Sequence, residues 1–531
     1  MDHKDEKEVA MSGNHDVERH SDEKHDARRR STIAGVLHGG DDKAIEGQMF
    51  SMHDIDPALD AKMRLVNQAI NQIGWTNFHL KLFCLNGFGY MADSLILVIQ
   101  SVIAGQAAAE FQPSFANGLT FASYAGMLVG ALFWGGSADI IGRKIAFNCS
   151  LFISAIFAIV AAGSPNWIVL GLFVALAAFG AGGNLVLDTT VFLEYLPADK
   201  QWLVTSLAAW WGLAPLFPAA FAWPLFSDPR FACDTELPEL CTRANNMGWR
   251  YIWIGNGGLI LLMSIARITV VRLKETPKYL LGEGKDEAVV ENLQGIAKRY
   301  NRPCDLTLEQ LQACGTIISA HRKGLGETWI HIRGLFVTKK LALSTSLIWL
   351  SWTLIGLAYP LFYVFLPQYL ASRGAETGAG SQAEIWRDYF ISNTIGIFGP
   401  VLAGWMCTTR LGRRYTMVVG ALVTMAFFFA YTAVRTHAAN LGFTCAIYFT
   451  VNVYYGTLYA YTPEVLPSAH RATGNGIAIA CNRVMGLVSA AVATSANTAT
   501  AAPIYICAVL YIVMAIVAAI MPFEPYGKSA M

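Results

Sequence analysis

The chain has 531 residues, of which 54% are hydrophobic and only 15% charged, at a formal net charge of +1. A soluble protein carries about 25% charged residues, so this composition excludes an ordinary soluble enzyme and asks for a bilayer to cover its apolar surface. The near-neutral charge gives no reason to expect a nucleic-acid partner.

Residues 1–75 are polar and lack the apolar core of a signal peptide, which predicts a disordered cytoplasmic tail. Its Arg28-Arg29-Arg30-Ser31 run reads as solvated charge, or as a kinase recognition stretch. Apolar runs of roughly 20 residues then recur, the length that crosses about 30 Å of hydrocarbon. They cover 79–104, 116–137, 145–163, 167–190, 203–226 and 252–271, then 342–370, 388–407, 415–434, 441–462, 473–494 and 502–522. The expected fold is an all-α membrane protein with twelve transmembrane helices in two pseudo-symmetric six-helix bundles, 76–272 and 341–522. A cytoplasmic linker with short helices, 273–340, joins them, and 523–531 form a short cytoplasmic tail.

Basic residues set the orientation. With both termini cytoplasmic, inner loops hold Arg143, Lys144, Lys200, Arg410, Arg413, Arg414 and Arg471, whereas outer loops hold Arg230, Arg243, Arg250, Arg373, Arg387 and Arg435. The lysine- and arginine-rich linker decides between them. The halves are also related in sequence. Gly142-Arg143-Lys144 is echoed by Gly412-Arg413-Arg414, and Glu194-Tyr-Leu-Pro by Glu464-Val-Leu-Pro (412 − 142 and 464 − 194 both give 270). Two blocks at one offset indicate a duplicated six-helix unit, with a substrate site between rocking halves.

Between the second and third spans runs Gly135-Gly-Ser-Ala-Asp139-Ile-Ile-Gly142-Arg143-Lys144. Its glycines permit a tight turn and close helix approach. Asp139 can face the positive end of a neighbouring helix, and Arg143 can answer a carboxylate across the bundle, so the segment reads as a latch that holds one face shut. In the second copy Thr409 replaces the aspartate, which predicts a weaker latch.

Charge inside the spans is the best guide to chemistry. Asp93 lies within the first span, where a carboxylate costs about 2.5–3.5 kcal/mol on insertion scales. It reads as a proton-coupling group, or as a structural hydrogen-bond partner of Asn or Ser on an adjacent helix. Asn184 and Asp188 share one face of the fourth span and read as cavity or gate residues. Trp210 and Trp211 offer a stacking surface, or simply packing; Tyr359-Pro360 marks a kink in the seventh span. Arg483, beside Asn482, either grips a carboxylate substrate or pairs with Asp93 or Asp188.

Cys233 and Cys241 fall in a predicted outer loop, where a disulfide is expected; the other eight cysteines read as reduced. The eleven histidines lie in the tail, loops or helix margins, so no metal site, cofactor or enzymatic constellation is expected.

These motifs resemble the major facilitator superfamily, in its sugar-porter-like branch, over about residues 70–525. The resemblance rests on the latch segment, on Glu275-Thr-Pro277-Lys278, and on Pro463-Glu464-Val-Leu-Pro467 leading to Arg471 and Gly474. Gly182-Gly183-Asn184-Leu-Val186-Leu-Asp188 with Leu193-Glu194 is similar to the signature of synaptic-vesicle-protein-like transporters, a group that includes niacin-type permeases and fungal members. Val186 stands where that group has proline, and the glutamines of hexose porters are missing from spans five and seven. The resemblance implies a monomeric secondary transporter working by alternating access. Its gating residues would be Gly135, Asp139, Gly142, Arg143, Lys144, Glu194, Gly412, Arg413, Arg414, Glu464 and Arg471. Together with the intramembrane charges it leads to an expected proton symporter for a small organic acid in the plasma membrane. A proton-driven efflux pump is the alternative, and a non-transporting nutrient receptor a more distant one.

Overall fold

The structure, a computed structural model, describes residues 57–525 apart from 235–236, 271–272, 318–326, 373–381, 435, 468–469 and 496–501. The Arg28–Ser31 run, Arg373 and Arg435 lie outside the described residues. All regular structure among the described residues is helical.

The first bundle comprises α2 (Asn77–Phe111), α3 (Gly118–Ile141), α4 (Arg143–Ala161), α5 (Trp167–Tyr195), the consecutive α6 (Leu203–Leu207), α7 (Ala209–Leu213) and α8 (Leu216–Ser227), and α9 (Gly248–Val270). The fifth span is thus broken into three pieces. Pro215 has no amide to continue the ladder, and Gly212 loosens the turn before it. The second bundle comprises α14 (Lys339–Ser372), α15 (Gln382–Cys407), α16 (Gly412–Tyr431), α17 (His437–Val465), α18 (Arg471–Ser495) and α19 (Ala502–Ile520). Helix α14 runs on through Pro360. Several helices extend past the predicted apolar runs, because polar residues continue the backbone hydrogen bonding beyond the hydrocarbon.

Counting the broken α6–α8 segment as one, ten helices among the described residues are long and apolar enough to cross a membrane. Helix α19 is shorter over its described apolar part. Helix α17 is long but buries Asn452, Tyr455, Thr457, Tyr459 and Thr462, so its polar groups face protein rather than lipid. The duplication reaches the helix ends. Helices α5 and α17 are both 29 residues long and begin at caps 270 positions apart (436 − 166): Asn166 accepts from the Val169 amide, and Thr436 from the Ala439 amide.

The halves meet where α3 packs along α18 and where the α6–α8 segment packs against α15. Gly135 makes the first contact possible: a Cβ there would lie 2.9 Å from the Gly476 Cα.

The stretch expected to be a disordered tail, 1–75, is corrected at its end. Pro57–Ile73 forms a helix, α1. Its buried Leu59, Met63, Val66, Ile70 and Ile73 recur at helical spacing and close on Leu281, Val289, Leu293 and Leu311 of the linker helices α10 (Pro277–Gly282), α11 (Asp286–Tyr300) and α12 (Leu308–Ala313). Lys62 and Asp286 pair across that core at 2.5 Å. Helix α13 (Glu327–Gly334) instead packs on α18 of the second half.

Candidate functional site

An ion pair joins the two halves midway along their helices. Arg483 of α18 donates from Nη2 to both carboxylate oxygens of Asp93 on α2, at 2.8 Å each. Both residues are buried. Trp211 of α7 donates its indole N–H to Asp93 Oδ2 at 3.2 Å. Around the pair stands an aromatic wall: Trp211 meets Tyr359 and Tyr455 edge-on at 5.9 and 6.2 Å, and Tyr459 lies between Tyr455 and Trp352 at 4.9 and 4.6 Å. Asn482 turns towards the Trp352 carbonyl, 3.5 Å away. Trp210 points elsewhere, against Phe88 and Phe83 on α2.

Of the sequence-predicted cavity residues, Asn184 and Asp188 are placed inside the first bundle. Ser150 donates to Asn184 Oδ1 at 2.8 Å, and Arg267 of α9 pairs with Asp188 Oδ1 at 2.8 Å. Arg267 also donates to the Phe147 and Leu85 carbonyls, at 2.9 and 3.1 Å. All three polar residues are buried and bonded to one another within the first bundle. Sequence reasoning overlooked Arg267, although an arginine within the predicted span 252–271 was itself the signal.

At the end of the bundles nearest the linker, the motif residues converge. Asp139 Oδ2 accepts from the Thr473 amide and hydroxyl, both 2.9 Å, at the first turn of α18. This is a carboxylate at a helix N-terminus, where the helix dipole favours negative charge. Glu194 bridges the halves, 3.2 Å from Arg143 and 3.4 Å from Arg471. In the second copy Arg413 grips Glu464 of its own bundle with two bonds of 3.0 and 2.9 Å, so this pair does not cross to the other half. Thr409 donates to the Met406 carbonyl.

Gly142 and Gly412 take positive φ, 101° and 59°, at the turns into α4 and α16. At each turn a carboxylate caps the following helix. Glu275 accepts from the Arg143 and Lys144 amides at 2.8 and 3.1 Å, and Glu524 from the Arg413 and Arg414 amides at 2.9 and 3.0 Å. A Cβ on either glycine would strike the capping carboxylate. Lys278 is buried beside this network. Burial first, then the charges of Arg471 and Arg143, push its ammonium down to about 7, with Glu194 opposing. His470 and His331 face each other Nδ1 to Nδ1 at 2.7 Å, and burial followed by the His331 charge pushes His470 down to about 4.

On the opposite face Cys233 and Cys241 are joined in a disulfide. Arg250, counted above as an outer-loop charge, is buried and bound to Glu110 through two bonds of 2.8 and 2.7 Å. A crevice of about 580 Å³ opens between Ala219, Trp223, Pro224 and Ser227 of α8 and Phe390 of α15. The linker end is therefore tied across the halves by Asp139 and Glu194, and this crevice lies on the opposite face, where α8 packs against α15.

A sequence profile of the Major Facilitator Superfamily matches residues 82–490. A siderochrome iron transporter of the fungus Ceriporiopsis subvermispora is 38% identical over 91% of this chain and 94% of its own. The niacin transporter NiaP of Acinetobacter baylyi is 26% identical over 82% of this chain and 90% of its own. Among solved structures, the proton:xylose symporter XylE superposes with a TM-score of 0.63 at 16% identity, over 86% of this chain and 98% of that one. The last likeness speaks for the fold alone.

Proposed function

The chain belongs to the major facilitator superfamily, and from that premise we propose that it carries a small organic acid across a membrane by alternating access, coupled to protons. The Asp93–Arg483 pair carries the reading. A guanidinium stays protonated and holds a carboxylate with paired hydrogen bonds. A substrate carboxylate that takes Arg483 releases Asp93, and leaving that carboxyl charged and unpaired inside the bundle costs several kcal/mol. Uptake of a proton by Asp93 removes the cost, so anion and proton bind together.

The aromatic wall of Trp211, Tyr359 and Tyr455 suits a flat ring beside the carboxylate. The bacterial relative's name, a niacin transporter, supports such a substrate, since niacin is an aromatic carboxylic acid. Exchange of protons against the same pair also permits efflux, and flux direction separates the two. We place the linker and both termini on the cytoplasmic side of the plasma membrane, in keeping with the basic linker and the disulfide on the other face.

The test is uptake and efflux in a host without its own carriers. The panel comprises nicotinate, benzoate, aliphatic carboxylates, a ferric siderochrome and sugars, each at two external pH values. Accumulation of an aromatic carboxylate that rises in acid and is lost in both Asp93→Asn and Arg483→Ala is expected. Carriage of neutral sugars alone, or unchanged acid-stimulated uptake in Asp93→Asn, contradicts the proposal.

A further inference from the structure

The coupling reading leaves a second buried ion pair unused. Asp188 gives only Oδ1 to Arg267; its Oδ2 is buried and finds no hydrogen-bond donor among the described residues. That free oxygen lies against Gly89 of α2, so closely that a Cβ on Gly89 would collide with it. Gly89 and Asp93 are four residues apart, on one face of α2 and one helical turn from each other. The charges of Asp93 and Asp188 reach one another, and those of both reach Tyr90, whose buried hydroxyl also has no partner among the described residues. Helix α2 begins at the linker end, so the Gly89 level, and Asp188 with it, is one turn nearer that end than Asp93. Six residues further along α5 comes Glu194, the latch carboxylate, whose Oε2 is likewise unpartnered among the described residues.

We propose that Asp188 is the second proton-carrying residue of the transport cycle, receiving the proton from Asp93 on its way to the linker face. This rests on the proton-coupled reading given above. In the transfer, the carboxyl O–H of Asp93 breaks and an O–H forms on Asp188 Oδ2. Asp93, negative again, recaptures Arg483, and the pair between the halves is restored. Neutral Asp188 loosens its hold on Arg267 until the proton leaves by the opened latch. The groups facing Asp188 are Arg267 from α9, Asn184 on its own helix, and Tyr90 and Asp93 from α2. Arg267 balances its charge without occupying the second oxygen.

The full-length protein in liposomes tests the relay, with nicotinate as the probe. One unit of pH gradient sustains about tenfold accumulation at one proton per anion. Asp188→Asn is expected to abolish that gain while lowering nicotinate exchange at equal pH far less. Infrared difference spectra between acid and neutral pH should lose one carboxyl band in Asp188→Asn and a different one in Asp93→Asn. The double variant Asp188→Asn/Arg267→Gln, with both charges removed, should keep the fold and also lack the Asp188 band. If Asp188→Asn retains both the full accumulation and every carboxyl band, the relay is overturned. The infrared readout needs no substrate: a protein that carries no nicotinate yet shows the Asp188 band supports the relay and contradicts the aromatic-acid reading instead.

Discussion

Arg483 is charged at every pH a cell meets, so its removal leaves the Asp93 carboxylate buried without a partner. Arg483→Ala should cost about 3–5 kcal/mol of stability, whereas Arg483→Ala/Asp93→Asn should recover most of it. Thermal unfolding in detergent measures both; equal loss in the single and double variants would show that the pair does not bear on stability. Lys278 supplies a different prediction. In the closed latch its ammonium is held down to about 7, against an ordinary value of 10.5 when solvated. Opening therefore takes up a proton in that interval, and the closed form loses ground as pH falls from the upper value to the lower, with no further change below it. Cysteine accessibility at the latch across this range reads the slope, and Lys278→Met should flatten it. A carboxylate and a guanidinium inside apolar spans were legible in the sequence because lipid makes each conspicuous. Their pairing stood there only as one alternative among several, since residues 390 positions apart meet only through the tertiary fold. The same limit hid Asp188 behind Arg267: helical spacing gave the face of α5 but not what lies against it.

Helix α3 meets α18 backbone to backbone at Gly135 and Gly476, the contact that lets Asp139 reach Thr473. Gly135→Val is expected to hold the linker end apart, raising labelling of latch residues from that side and slowing transport about tenfold or more. Unchanged labelling would mean that the glycine contact does not control the latch. Long apolar helices were readable almost to their ends, because 20-residue runs have few other physical explanations. Helix α1 was missed for the opposite reason. Its apolar stripe, Leu59 to Ile73, is interleaved with charges and buries itself only against the linker helices. Truncating residues 1–74 should expose that linker core and lower the melting temperature, with the membrane bundles still folded. The break at Pro215 was visible in the sequence as a proline, but nothing local determined whether α6–α8 would kink or split.

At the scale of the whole molecule, the duplication places equivalent helices in both halves and yet equips them differently. Asp139 and Glu194 cross to the other bundle at the linker end, whereas Arg413 and Glu464 remain within their own. The halves can then part at that end only by giving up two sets of charged contacts, while Asp93 and Arg483 join them midway along their helices. Motion about that central pair is the core of the account. Electron–electron distance measurements test it most directly, with spin labels placed across the linker end at Ile141 and Leu411 and across the crevice at Ser227 and Arg387. Adding a transported acid at low pH should populate a second state in which the linker-end distance lengthens as the crevice distance shortens, and Asp93→Asn should change the balance between the two states. If both distances stay fixed, or lengthen together, rocking about the Asp93–Arg483 pair is wrong.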